Sequence, residues 1–321
     1  MLTIRKGGMQ TTVQDLGRSG FQKYGVVAAG AMDPYALRMA NLLVGNEENA
    51  ATLEMALTGP EVRFEEDALI SICGADLSPQ IAGKTVGLWR PLGVQKGQIL
   101  TFGTPRRGSR AYLAVAGGIS VPEVMGSRST YLRAALGGFD GRALKSGDHL
   151  VVGAATKGTN LVGEGQSWFM PSPYYSSKPE IRVTAGRQFN SFSEESQERF
   201  FSEPFTVSSQ SDRMGYRLDG PHLALAEKQE MLSEAVAFGS IQVPPDGNPI
   251  ILMADRQTAG GYPKIAEAIT VDLPLISQLK PGDRLRFTLV SVEEAQRLLR
   301  LQERTINCLK NAIRLKRRVA E

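Results

Sequence analysis

The densest run of reactive side chains lies between residues 239 and 264. It reads Gly239-Ser240-Ile241-Gln242-Val243-Pro244-Pro245-Asp246-Gly247, then an apolar stretch, then Asp255-Arg256-Gln257-Thr258-Ala259-Gly260-Gly261-Tyr262-Pro263-Lys264. Gln242 and Gln257 can donate to and accept from an amide or ureido group, with Thr258 in the same run. Gly260 and Gly261 permit close backbone approach, and Tyr262 and Lys264 can stabilise developing charge. Asp255 is a general-base candidate where burial raises its pKa, and equally a structural carboxylate holding Arg256. Residue types alone do not separate the two.

Two further polar, glycine-rich segments stand out. Ser211-Asp212-Arg213-Met214-Gly215-Tyr216-Arg217-Leu218-Asp219-Gly220 would place Arg213 and Arg217 on one side, as an anion clamp, only if it stays extended; the plain alternative is an exposed hairpin with paired charges. Residues 14–30 pack Asp15, Gly17, Arg18, Gly20, Tyr24 and Gly25 ahead of Asp33. That loop either holds a carboxylate or carbonyl oxygen with Arg18 and its backbone N–H groups, or uses glycine for tight turns and an Asp–Arg pair to fix itself.

Other chemistries are disfavoured. Cys73 and Cys308 are far apart with no CxxC, so neither a disulfide framework nor a zinc cluster is indicated, and no metal site is expected. His149 and His222 lie in separate halves without a G-x-S-x-G elbow. Gly83-Lys84-Thr85 lacks the leading glycine of a phosphate loop, because Ser78 stands there. Gly163 and Gly165 open a dinucleotide-type pattern that Trp168 breaks. No Met-Lys-Met biotinylation motif occurs. Net charge is +4, but residues 297–321 hold eight Lys/Arg against two Glu, so the tail carries +6 and the remaining 296 residues −2. The basic pI is a property of the tail, and no nucleic-acid groove is indicated on the body.

These residues need a scaffold, and the pattern predicts a β-rich one. The 321 residues suggest two domains, and 34 glycines with 17 prolines divide them into short segments. Asp33-Pro34 starts a helix that Gly45 ends, with Leu37, Ala40, Leu43 and Val44 at helical spacing. Strands are predicted at 2–5, 10–14, 52–57, 61–65, 68–73, 86–90, 98–103 and 110–115, then at 181–185, 205–209, 236–243, 249–254, 268–272 and 284–290. A short helix is predicted over 193–201. Residues 156–179 have linker composition, which gives domains at 1–155 and 180–290. Ser146-Gly147-Asp148 and Pro281-Gly282-Asp283 close the two halves with a shared phrase that suggests duplication. Ser291 and Glu294 cap a basic C-terminal helix over 291–321, whose apolar stripe includes Val292, Leu298, Ile306, Leu309 and Ile313. No apolar run is long enough to span a membrane, and the N-terminus has no leader pattern, so a cytoplasmic protein is expected.

The three polar segments together resemble the KipA-like carboxyltransferase family, also called allophanate hydrolase subunit 2, which includes the C subunit of 5-oxoprolinase and matches the carboxyltransferase half of urea carboxylase. The resemblance covers about residues 3–290. It rests on Thr12-Val13-Gln14-Asp15-Leu16-Gly17-Arg18, on Gly30-Ala31-Met32-Asp33 with Ala40-Asn41-Leu42-Leu43-Val44-Gly45-Asn46, on 211–218 and on the run 242–264. The basic tail after Val292 departs from that family core.

The resemblance implies a mainly β fold with few helices: two tandem cyclophilin-like β-barrels plus the C-terminal helix. It implies two partner subunits, one KipI-like and one YcsF-like, with no nucleic acid and no membrane. Together they would open the 5-oxoproline lactam to glutamate, with ATP used by the complex and no biotin attached to this chain. In that setting Arg213 or Arg217 holds the substrate carboxylate, Gln242 and Gln257 orient the amide, Tyr262 and Lys264 stabilise its oxyanion, and Asp255 moves a proton. Thr258, Gly260 and Gly261 complete the substrate side, while Asp15, Arg18 and Asp33 form a second tier framing the cleft between barrels. Two other roles stay open: antagonism of a KipI-like inhibitor of a sporulation sensor kinase, and carboxyl transfer to urea from carboxybiotin supplied by a partner.

Overall fold

The computed structural model describes residues 1–155, 169–227 and 231–319. Gly163, Gly165, Trp168 and the first part of the expected linker lie outside the described residues. The chain forms two compact units, one of Met1–Arg18, Ala29–Tyr174 and Ile306–Glu321, the other of Ser19–Ala28 and Tyr175–Thr305. Residues 19–28 of the first polar loop thus go with the second unit, and the C-terminal helix is shared between the two.

In the first unit, short alternating segments pair into two sheets. One runs Ile119–Ser120, His149–Val152, Leu2–Lys6, Glu61–Phe64, Ile99–Thr101, Gln80–Ile81, Lys84–Thr85; the other runs Gln10–Gln14, Thr52–Ala56, Arg107–Val115, Ala68–Asp76, Pro91–Val94. Their apolar faces share one core, in which Leu2, Ile4, Phe64 and Leu100 join Leu53, Met55, Ile72 and Leu113. Helix α1, Pro34–Val44, packs on the strands Ala68–Asp76 and Arg107–Val115. It begins where the Asp33 carboxylate accepts from the Ala36 N–H at 2.9 Å, and ends at Gly45, whose φ of 76° only glycine adopts readily. The strand expected at 86–90 does not form. Trp89 takes a left-handed φ of 57°, which interrupts the extended chain, and the strand starts at Pro91 instead.

Seven strands of the second unit close into a barrel: Glu180–Ala185, Lys264–Ala268, Ser240–Gln242, Ile250–Leu252, Gly215–Asp219, Phe205–Val207 and Arg284–Leu289. The last pairs in parallel with the first, which closes the ring. Ile181, Val183, Phe205, Leu218, Ile241, Ile251 and Phe287 are buried. Helix α2, Glu194–Ser202, is capped by Ser193 and stacks Phe200 on Phe287 at 4.5 Å between centroids. The Pro-Pro-Asp-Gly turn forms as expected, with the Gly247 N–H donating to the Pro244 carbonyl at 2.9 Å.

Two strand expectations are corrected here. Of 236–243 only Ser240–Gln242 joins the barrel, because Glu234–Ala235 pairs with Ala259–Gly260 as a separate ribbon. The segment 268–272 is not a strand: the strand is Lys264–Ala268, and Thr270–Asp272 forms a 3-10 turn leading into helix α3, Leu273–Ser277. Asp272 accepts from the backbone and guanidinium of Arg182, and Pro274 enters the helix at its first turn, which together turn the chain out of the sheet.

The repeated closing phrases adopt the same turn. Gly147 and Gly282 have φ values of 91° and 88°. Asp148 accepts from the Lys145 N–H at 2.8 Å, and Asp283 from the Lys280 N–H at 3.0 Å. Each turn opens a strand, His149–Val152 in one unit and Arg284–Leu289 in the other.

Helix α4, Val292–Val319, starts where Ser291 accepts from the Glu294 N–H, and it buries Ile306 and Ile313 in the first unit while Lys310 pairs with Glu48 at 3.0 Å. Among the described residues no helix is long and apolar enough to cross a membrane. The chain is mainly β with four α-helices among the described residues. Of the two barrels that the resemblance implied, the second closes by hydrogen bonding, whereas the strands of the first unit form two separate sheets over one core.

Candidate active site

The run 239–264 folds onto the face of the second unit's barrel that is turned away from its apolar interior. Ile241 and Ala266 are paired and fully buried, so by alternation Ser240, Gln242 and Glu267 take the opposite face. The pairing runs Ser240 to Glu267 and Ile241 to Ala266, then slips by one so that Gln242 faces Lys264. This bulge at Ile265 brings Lys264 to the side that carries Gln242 and Glu267, where an unbroken strand would place Ile265. No periodicity in the sequence foretells it.

Lys264 is held from several directions. Its ammonium lies 3.1 Å from Glu234 Oε1 and donates to the Ala235 carbonyl at 3.2 Å, so the ribbon of Glu234–Ala235 and Ala259–Gly260 covers it. Gln188 brackets its backbone: the Lys264 N–H donates to Gln188 Oε1 and the Gln188 N–H to the Lys264 carbonyl. Gln188 Nε2 also donates to Glu234 at 2.9 Å. Hydrogen bonds from Gln188 and Lys264 hold the Glu234 carboxyl below the usual glutamate range. Neither Gln188 nor Glu234 stands near Lys264 in sequence, and the sequence analysis missed both.

Gln242 is 1% exposed, and its Nε2 donates to the Tyr262 carbonyl at 3.2 Å. A Cβ added to Gly260 would lie 2.6 Å from that nitrogen, which is a positional reason for glycine there. Tyr262 is 45% exposed. With Gly261 and Pro263 it borders a pocket of ≈ 750 Å³ whose other walls include Phe192, Leu223, Leu225, Met231 and Val243. Gln257 and Thr258 are half-buried beside the ribbon, where the Thr258 carbonyl accepts from the Val236 N–H.

Asp255 and the arginines differ from expectation. Asp255 is a structural carboxylate, but for Arg213 and not for Arg256: Arg213 Nε and Nη2 each donate to it at 2.9 Å, and the Asp255 N–H donates to the Arg213 carbonyl at 2.8 Å. The clamp of Arg213 with Arg217 is not formed. Asp212 accepts from the Met214 and Gly215 N–H groups, which bends the chain between them. Arg213 is left buried and Arg217 exposed on the strand Gly215–Asp219. Arg256 instead sits against the Phe238 ring at 5.8 Å with its guanidinium pKa lowered by burial.

The second-tier residues build the first unit. Asp15 accepts from the hydroxyls of Ser127 and Ser129 and from the N–H groups of Gly17 and Arg128. Arg18, fully buried, donates to the carbonyls of Val124 and Ser129, so it ties loop to loop instead of presenting a cation to solvent. Asp33 is the helix cap described above. Gly83 is no phosphate loop either, because Ala82-Gly83 turns a hairpin between Gln80–Ile81 and Lys84–Thr85. Among the described residues no group of His, Cys, Asp and Glu side chains is arranged to hold a metal ion.

The family model for the carboxyltransferase domain, subdomains A and B, matches residues 24–289. The chain belongs to this family. It is 42% identical to the 5-oxoprolinase C subunit of Escherichia coli (strain K12) over 95% of this chain and 96% of that one. It is 40% identical to the 5-oxoprolinase C subunit of Haemophilus influenzae, over 94% and 96%. The crystal structure of the Kluyveromyces lactis urea carboxylase superposes with a TM-score of 0.87 at 31% identity, covering 95% of this chain and 29% of that longer one. Lys264, Gln242 and Glu234 all lie within the part of the second unit that the carboxyltransferase model spans.

Proposed function

We propose that the chain is the C subunit of an ATP-dependent 5-oxoprolinase, a complex that hydrolyses the cyclic amide of 5-oxoproline to L-glutamate. The observation that carries this reading is end-to-end similarity, at 42% identity, to a protein of that name with matched length. The site chemistry agrees with an amide substrate. Gln242 is a buried amide whose remaining acceptor and donor positions suit a lactam edge, and Lys264 supplies a fixed ammonium for charge developing on the lactam oxygen. The apolar pocket beside Tyr262 suits the ring methylenes.

The partners in this reading are two further subunits, one KipI-like and one YcsF-like. ATP is used by the complex as a whole, and the hairpin at Gly83 offers no helix N-terminus to a phosphate. A cytoplasmic location follows from that assembly. A second reading, carboxyl transfer to urea, is favoured by the family description and by the likeness to urea carboxylase.

The test is glutamate release from 5-oxoproline with ATP by the chain assembled with its two partner subunits, each left out in turn, with urea-dependent ATP consumption run in parallel. Release that requires this chain supports the proposal. An assembled complex that ignores 5-oxoproline and consumes ATP with urea and biotin replaces it with the second reading.

A further inference from the structure

We propose that Gln188 is a positioning residue of this site: its one side-chain amide fixes both the backbone and the counter-ion of Lys264, and so aims the ammonium at the substrate oxygen. The inference rests on the lactam-opening reading and deepens it.

The bulge at Ile265 breaks the pairing of its strand with Ser240–Gln242. The loop that follows Glu180–Ala185 backs the irregular stretch. The Gly186 N–H donates to the Ile265 carbonyl at 2.9 Å, and the Gln188 N–H donates to the Lys264 carbonyl at 3.2 Å. So close an approach requires glycine, because a Cβ on Gly186 would stand 2.3 Å from the Lys264 carbonyl oxygen and 2.7 Å from the Ala266 nitrogen, both backbone atoms. Gln188 Oε1 then accepts from the Lys264 N–H at 3.1 Å, so residue 188 holds Lys264 by its N–H and its carbonyl together.

The other end of the same amide reaches the counter-ion. Gln188 Nε2 donates to Glu234 Oε1 at 2.9 Å, and the Lys264 ammonium lies 3.1 Å from that same oxygen. Arg187, next in the chain, donates to Glu234 Oε2 at 2.7 Å. With both oxygens engaged, the carboxylate cannot swing, and Lys264 meets a fixed partner.

An ammonium has three N–H donors. One faces Glu234, one goes to the Ala235 carbonyl at 3.2 Å, and the third has no protein acceptor among the described residues. That third donor is the one a substrate amide oxygen can take. Its direction is set by the other two, and therefore by the side chain that fixes Glu234.

The experiment uses the assembled complex. Gln188→Glu keeps an oxygen for the Lys264 N–H but sets a second carboxylate against Glu234. It is expected to lower kcat for ATP-dependent glutamate release about 10²-fold with KM little changed. A residue that only braced the backbone would leave kcat unaltered in this variant. The swap Gln188→Glu with Glu234→Gln restores a donor and an acceptor between the two side chains, and is expected to regain about tenfold over Gln188→Glu. In the full chain without partners, acetylation of Lys264 by acetic anhydride is mapped by mass spectrometry, with the exposed Lys280 as internal standard. It is expected to quicken several-fold in Gln188→Ala.

A Gln188→Glu complex with wild-type kcat overturns the inference, as does a swap no faster than Gln188→Glu alone. Should Gln188→Glu fail to assemble, an unchanged acetylation rate in Gln188→Ala overturns it. A wild-type complex that does not open 5-oxoproline overturns the underlying reading instead, and the acetylation rates still decide whether Gln188 holds the ammonium.

Discussion

Arg213 and Asp255 meet edge to edge, two nitrogens against two oxygens at 2.9 Å, with both side chains out of solvent. The pair ties the segment before the strand Gly215–Asp219 to the chain leaving Ile250–Leu252, beside the backbone bond from Asp255 to Arg213. Breaking a buried pair from one side leaves an uncompensated charge. Asp255→Ala is therefore expected to destabilise the chain by about 3–5 kcal/mol, and Arg213→Ala by a similar amount. The double replacement Arg213→Met with Asp255→Leu is expected to cost far less. Urea denaturation of the three variants measures this. An Asp255→Ala chain with unchanged midpoint and no turnover in the complex would return Asp255 to the catalytic role.

Gly260 bears on Gln242 directly. A methyl group at Gly260 would stand 2.6 Å from Gln242 Nε2, so Gly260→Ala must push the amide away from the Tyr262 carbonyl. The expected result is a fall in kcat/KM on the order of 10² in the complex, with a small change in melting temperature. A variant with wild-type kcat/KM would show that the orientation of Gln242 does not matter to the reaction.

Asp148 provides a pH test of the repeated turn. The Arg142 guanidinium and the Lys145 N–H hold its carboxyl below the ordinary value of 3.8. A depressed folded-state pKa means that the stabilisation is fully present above 3.8 and is lost as pH falls through the folded value. Thermal melts of the chain between about pH 2 and pH 5 should show a steeper acid decline for wild type than for Asp148→Asn. Parallel curves would mean that the turn does not depend on the charge.

The sequence made some of this architecture readable because local rules govern it. Asp33-Pro34 and Gly45 delimit α1 through capping, and Pro244-Pro245-Asp246-Gly247 makes its turn through backbone preferences, so both stand where expected. The paired closing phrases also form matching turns, since the turn at Asp148 and that at Asp283 each depend on four consecutive residues. What was not legible depends on distant partners. The bulge at Ile265 is a matter of register between two strands, and Glu234 reaches Lys264 only because a ribbon forms between Glu234–Ala235 and Ala259–Gly260. Arg213 finds Asp255 42 residues away, whereas local reasoning leaves that carboxylate open between a general base and a partner for its neighbour Arg256.

The central claim is that the bulge-positioned Lys264, on the second unit's barrel, acts on the substrate amide within the assembled complex. Lys264→Met keeps the length of the side chain and removes its charge. The decisive measurement is kcat for ATP-dependent glutamate release from 5-oxoproline by complexes carrying wild-type chain or Lys264→Met, each first checked for intact assembly. The account predicts a fall of about 10² to 10³ with assembly preserved. An assembled Lys264→Met complex that turns over at the wild-type rate would contradict it.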